Sequence, residues 1–219
     1  VAYTGKHASE DGLCLIKHGT LIDYLHRGTT AYAIPEGVKV ISSRVFSGCS
    51  WLVEVIIAES VAEIGTEAFK GCKELKSVVI PQWVRKIGES AFSGCENLES
   101  IELPEWLEEI GNYAFSSCKN IKIILTPQWI KTIGSGVFWG CSSLSQITIT
   151  SLLQSIEAHT FDCCSALRQI IVPPTVTRIG SNAFSNCSSL ADIFIPSSVQ
   201  EISEDAFASC ASLLEIKVD

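Results

Sequence analysis

Apolar and polar positions along the chain recur with a fixed step. Phenylalanine stands at Phe46, Phe69, Phe92, Phe115, Phe138, Phe161, Phe184 and Phe207, always 23 residues apart. Isoleucine keeps the same step from Ile41 through Ile64, Ile87, Ile110, Ile133, Ile156 and Ile179 to Ile202. So do Cys49, Cys72, Cys95, Cys118, Cys141, Cys164, Cys187 and Cys210. No insertion or deletion interrupts the eight copies. A fixed period of this length predicts a solenoid, in which each unit buries its apolar face against its neighbours. One unit, residues 84–106, shows the local logic. Val84 and Ile87 point inward, then Glu89-Ser90-Ala91-Phe92 has helical spacing with Ala91 and Phe92 inside. Ser93-Gly94 ends that turn, because glycine tolerates the positive φ a helix stop needs. Ile101 and Leu103 alternate with Glu99 and Glu102, the period of a strand, and Pro104 closes it. The unit reads as strand, proline turn, short extended piece, one helical turn and return. The whole is an α/β solenoid with one parallel sheet and short helical turns.

Parallel neighbours lie ~4.8 Å apart, so eight coils make a stack of roughly 38 Å with one continuous core. Residues 1–35 break the period. Two strand-like runs, Asp11 to Ile16 and Thr20 to Leu25, flank Lys17-His18-Gly19, which reads as a hairpin turn. Solenoids need terminal units that shield the first core layer. The expected organisation is therefore a β-hairpin cap over residues 1–35 and an eight-copy solenoid over 36–219, together one domain. The other end has no counterpart. An uncapped last coil leads to the expectation of a piece of a longer protein or a self-associating edge. Glu215, Lys217 and Asp219 partly guard that edge.

The copy from Ile193 to Leu213, IFIPSSVQEISEDAFASCASL, follows the pattern Ile-x-Ile-Pro-x-Ser-Val-x-x-Ile-Gly-x-x-Ala-Phe-x-x-Cys-x-x-Leu almost throughout. This pattern resembles the BspA-like leucine-rich repeat, over roughly residues 34–219. The resemblance implies a leucine-rich-repeat solenoid opening with an Asp-Gly hairpin. It also implies surface proteins of bacteria and mucosal protozoan parasites, adhering to matrix proteins such as fibronectin or fibrinogen or to other cells. The chain departs from the ordinary leucine-rich repeat by lacking an inward asparagine column. Ser60, Trp83, Trp106, Trp129, Leu152, Thr175 and Ser198 stand in its place, so no asparagine ladder is available to satisfy backbone groups at that bend.

Composition narrows the function classes. A chain of 219 residues with 47% hydrophobic and 18% charged residues is not disordered. A net charge of −8 argues against a nucleic-acid surface. No apolar run approaches the ~18 residues that would span a bilayer. No signal peptide is visible and the sequence contains no methionine, which suggests a chain that begins after processing or at an excised boundary. A persistently reduced cysteine column suits a cytosolic home as well as an extracellular one.

Candidate chemistry is sparse. Cysteines stacked at ~4.8 Å are too far apart and too parallel for disulfides, which want Cβ atoms near 3.8 Å. The column therefore reads as buried thiols acting as small apolar residues. Cys163 stands where other copies have Gly48, Gly71, Gly94 or Gly140, and is expected to be exposed and reactive. No paired-ligand motif suggests a metal, and no cofactor is implied. The histidines are His7, His18, His26 and His159. His159 and Asp162 are near in sequence but lack a nucleophile motif, and no phosphate loop or nucleophile elbow occurs. No catalytic residue is expected. The Asn186-Cys187-Ser188 sequon follows from the repeat and carries no weight.

The outward columns carry more. The middle of each strand presents Ile56, Val79, Glu102, Leu125, Thr148, Ile171, Phe194 and Lys217. An exposed run of Ile56, Val79, Leu125, Ile171 and Phe194 suggests a protein partner, although β propensity also favours such residues in strands. Trp83, Trp106 and Trp129, extended by Leu152, replace serine or threonine after the proline turn. Three indoles in a column make a flat strip for a sugar ring or a protein hot spot, or a packing cover over the bend. Trp51 and Trp139 lie outside that column and look incidental. The expected function is a cell-surface or secreted interaction module, adhering to matrix proteins or other cells. The alternatives are a carbohydrate-binding module using the tryptophan strip and an intracellular scaffold.

Overall fold

The structure, a computed structural model, describes residues 2–25, 28–149 and 152–218. His26 and Asp219 lie outside the described residues. Most coils contribute two short parallel strands, not one; the coil of Ile171 joins the first ladder only through a single bridge to Phe194. The first ladder holds Ala31–Ala33, Glu54–Ile56, Ser77–Val79 and Ser100–Glu102, then Ile123–Leu125 with Gln146–Thr148, then Asp192–Ile195 with Glu215–Val218. The second ladder runs through Val40–Ile41, Glu63–Ile64, Lys86–Ile87, Glu109–Ile110 and Thr132–Ile133, and resumes with Ser155–Ile156, Arg178–Ile179 and Glu201–Ile202. The extended piece inferred from the sequence is thus itself a ladder. Its register advances by one repeat per coil, as Ile64 to Ile87 and Ile87 to Ile110 show.

The expected helical turns are absent: no described residue is helical. Two features of the backbone explain this. Alternate amides leave the coil, since Ser90, Phe92 and Gly94 N–H donate to the carbonyls of Asn112, Ala114 and Ser116 at 2.8 Å. The amides between them close tight turns, as Ala91 to Gly88, Ser93 to Ser90 and Cys95 to Phe92. Ser90 and Gly94 also take left-handed φ values of 53° and 73°. A helix needs right-handed residues in succession with every N–H bonded within the segment. Bonding between coils wins here because it satisfies backbone groups along the whole stack.

The core is a set of columns. Phe46 to Phe184 are buried, and rings from Phe46 to Phe207 follow one another at 4.9–6.1 Å with planes within 15°. The cysteines are free thiols. From Cys72 to Cys210 the column donates back to the previous coil, as Cys95 Sγ to Phe69 O, Cys118 to Phe92 O and Cys141 to Phe115 O, all at 3.2 Å. The column is therefore a weak hydrogen-bond ladder as well as apolar filling. Burial pushes the Cys95 and Cys141 thiols up to about 12, which keeps them protonated and unreactive.

The hairpin pairs Cys14–Lys17 with Thr20–Tyr24 through His18 and Gly19, at φ 52° and 76°. Two successive left-handed residues match the twist of the flanking strands. Its second strand joins the second ladder beside Val40–Ile41. Tyr24 covers the aromatic column, its ring 4.8 Å from Phe46 and 4.7 Å from Tyr32. In the last coil the apolar positions are open: Ile202, Ile216 and Val218 are 41%, 43% and 71% exposed. Glu215 and Lys217 stand 3.8 Å apart on that edge.

Serine and threonine take the role of the missing asparagine. Ser60, Thr175 and Ser198 hydroxyls donate to the carbonyls of Val38, Leu153 and Val176 at 2.8 Å. Ser60 Oγ also accepts from Gly37 N–H. Such bonds bridge adjacent coils at the bend, and a tryptophan there has no hydroxyl to make them.

Candidate functional site

The first ladder alternates cleanly. Val55, Val78, Ile101, Ile124, Ile147, Ile170 and Ile193 are buried, while residues on either side are open. This places Ile56, Val79, Leu125, Ile171 and Phe194 on one exposed face, at 59%, 60%, 65%, 79% and 46% exposure. Ile171 and Phe194 are direct cross-strand partners. Glu102 and Thr148 interrupt the stripe. Ile123, also exposed, widens it beside Leu125. The sequence reading passed over Ile123; its signal is an apolar residue in a column otherwise filled by Glu54, Ser77, Ser100, Gln146, Gln169, Asp192 and Glu215. The stripe therefore has a polar flank that includes the acidic Glu54, Asp192 and Glu215.

The tryptophan column lies at the bend between the ladders. Trp83, Trp106, Trp129 and Leu152 are all exposed, Trp83 the most at 62%. Trp106 and Trp129 stack with centroids 5.8 Å apart and planes 10° from parallel. The Arg85 guanidinium sits 5.9 Å from the Trp106 ring centroid and donates to Trp106 O at 3.1 Å. Cation–π attraction of this kind holds the ring flat at ~0.5–1 kcal/mol on an exposed site. Ion pairs between coils dress the remaining surface, such as Lys73–Glu96–Lys119 and Lys86–Glu109. Hydrogen bonds from Lys119 and Lys73 hold the Glu96 carboxyl below its ordinary range.

Cys163 differs from the expectation of an open, reactive thiol. It takes the glycine's left-handed conformation, at φ 62°, but is part-buried. Its Sγ donates to Asp162 Oδ1 at 3.3 Å. Burial raises this thiol, helped by the hydrogen bond to Asp162 and its charge. A thiol held protonated is a poor nucleophile. An aromatic disulfide reagent at neutral pH is therefore expected to find no fast thiol in the folded protein, and all ten after unfolding in guanidinium. A fast equivalent that disappears in Cys163→Ser would show that Asp162 does not suppress it.

Trp139 is 43% exposed and lines a cleft with Tyr113, His159 and Asp162 on the turn side of the coils. Among the described residues no group of three or more histidine, cysteine, aspartate or glutamate side chains could hold a metal ion. No helix there is long and apolar enough to cross a membrane.

A family model described as the BspA type leucine rich repeat region matches residues 26–145 and 108–219, in six copies. No curated protein matches the sequence. Among solved structures, a leucine-rich repeat protein of T. pallidum is 28% identical with a TM-score of 0.73, covering 84% of this chain and 86% of its own. A leucine-rich cell surface protein of Faecalibacterium prausnitzii is 30% identical with a TM-score of 0.59. It is matched over 86% of this chain, which spans 59% of that protein's length. A leucine-rich repeat protein of Bacteroides ovatus, at 24% identity and TM-score 0.71, covers all of this chain and 70% of its own, and shares the fold.

Proposed function

The chain belongs to the BspA type leucine rich repeat family, and on that premise we propose that it is a cell-surface or secreted protein-interaction module. It binds a protein partner through the face carrying Ile56, Val79, Leu125, Ile171 and Phe194, without catalysis. The observation that carries this reading is the exposure of five large apolar residues in one column, beside strand neighbours that are fully packed. Exposed apolar surface of this kind, here in stretches separated by Glu102 and Thr148, is removed from water by association. The ladders fix the column before any partner arrives, so little ordering entropy opposes binding. The acidic residues Glu54, Asp192 and Glu215 of the flank, with Glu102 in the stripe, favour a partner with basic residues around an apolar centre. The cell-surface relative supports the location. Matrix proteins such as fibronectin or fibrinogen are the proposed partner class.

A second reading rests on the parallel Trp106–Trp129 stack, which offers a platform for a glycan. One experiment separates the two. Immobilised fibronectin and fibrinogen are offered to the wild type, to Leu125→Ser with Ile171→Ser, and to Trp106→Ala with Trp129→Ala, with folding checked by circular dichroism. The strand-face variant is expected to bind at least tenfold more weakly and the tryptophan variant to bind as the wild type. The reverse order transfers the site to the tryptophans. No binding by the folded wild type removes the matrix-adhesion reading.

A further inference from the structure

Tyr113, Gly136 and His159 occupy one column in successive coils, and Trp139 and Asp162 occupy the column three residues on. The first column otherwise carries side chains in every coil, from Arg44 and Glu67 to Asn182 and Asp205. Gly136 is the one gap. A Cβ at Gly136 would collide with the Tyr113 ring, so the ring lies over the space that glycine leaves. With no side chain at 136 the Tyr113 ring can lie there, beside a cleft of about 280 Å³ lined by Tyr113, Trp139, His159 and Asp162. That is just below the range of drug-sized ligand clefts (~300–1,000 Å³), room for a single ring.

The two sides of the cleft differ in chemistry. Tyr113 and Trp139 are 37% and 43% exposed, two aromatic surfaces open to solvent. Opposite them Asp162 is 8% exposed and fixed by three donors: His159 Nδ1 at 3.0 Å, Asn186 Nδ2 at 3.1 Å and Cys163 Sγ at 3.3 Å. Burial acts to raise the Asp162 carboxyl, but the hydrogen bonds from His159, Asn186 and Cys163 outweigh it and hold it ionised. Its negative charge is already shared among those donors, so a cation gains little there. With Nδ1 engaged by Asp162, His159 Nε2 is left for a ligand hydroxyl, which can donate or accept. Aromatic faces beside positioned, neutral-seeking polar groups suit a ligand with an apolar face and hydroxyls at its edge.

We propose that this cleft binds a neutral pyranose saccharide, its CH face on Tyr113 and Trp139 and its hydroxyls on His159 and Asp162. The site shares no residue with the strand face or with the Trp106–Trp129 stack, so it stands or falls separately from the protein-binding reading. The test uses the methyl pyranosides of glucose, galactose, mannose and N-acetylglucosamine at millimolar concentration, read by saturation-transfer NMR and tryptophan fluorescence. At least one is expected to receive saturation through its ring protons. Its Kd is expected to rise at least tenfold in Tyr113→Ala and in Trp139→Ala, both exposed positions whose replacement leaves the core columns intact. The Trp106→Ala, Trp129→Ala variant is expected to bind as the wild type. Three results overturn the proposal: no transfer to any of the four from folded wild type, binding that survives in both cleft variants, or binding lost with Trp106 and Trp129 instead.

Discussion

Phe115→Ala is expected to destabilise the solenoid by about 3–5 kcal/mol, the range for deleting a buried aromatic ring. Phe115 is fully buried and stacks on both neighbours, 5.5 Å from Phe92 and 6.1 Å from Phe138. Alanine leaves a cavity that the flanking rings cannot close. Each is held in its own coil by ladder bonds, such as Phe92 N–H to Ala114 O and Phe138 N–H to Thr160 O. In a solenoid the stability is close to a sum of unit and nearest-neighbour terms. Removing a central ring weakens two interfaces at once, so the expected urea transition is both earlier and broader, with the two halves of the stack melting apart. Phe207, in the last coil, is only partly buried and packs on Phe184 alone at 5.3 Å. Phe207→Ala is expected to be clearly milder. Equal losses in the two variants, measured by circular dichroism in urea, would show that stability is not carried from coil to coil through this column.

The same column explains how far the sequence can be read. A residue repeated every 23 positions without a gap reports the stacking directly, because only identical neighbours make such a column pack. The tryptophans were legible as departures from a hydroxyl position, and the hydroxyls proved to be bridges between coils at Ser60, Thr175 and Ser198. The turn from Glu89 to Phe92 was misread as helical because adjacent Ala91 and Phe92 with a glycine stop fit one helical turn equally well. What decides between the readings is whether alternate amides bond within the coil or to the next one, and no local pattern records that. The second ladder escaped for a related reason: strands of two residues, such as Lys86–Ile87, are too short to show alternation. The cleft at Gly136 was the least visible. Its parts lie one repeat apart in one column and three residues apart across two, and the signal is a missing side chain rather than a motif.

Gly88→Ala is expected to cost up to about 3 kcal/mol, the upper part of the range for overpacking. The glycines at 65, 88, 111 and 134 stand where adjacent coils come closest. A Cβ at Gly88 would sit 2.6 Å from Gly65 C and Thr66 N, both backbone atoms that cannot swing aside. The coils must separate, and Gly88 N–H would lose its 2.8 Å bond to Ile64 O. The chain already contains the outcome of such a change. Glu157 replaces this glycine in an interior coil, and there the second ladder is interrupted, between Thr132–Ile133 and Ser155–Ile156. The turn side stays joined across the same gap, with Gly136 N–H on Ala158 O and Phe138 N–H on Thr160 O. Serine stands at this position in two other coils, where Ser42 and Ser203 N–H keep their bonds to Leu21 O and Ile179 O at 2.9 and 3.0 Å. In Gly88→Ala, hydrogen exchange is expected to speed at residue 88 while the Phe92 amide, bonded to Ala114 O, stays protected. Glu157→Gly is expected to do the opposite and slow exchange at residue 157 by letting the two ladder segments join. Unchanged protection at residue 88 in the alanine variant would mean that the glycine column does not set the coil spacing.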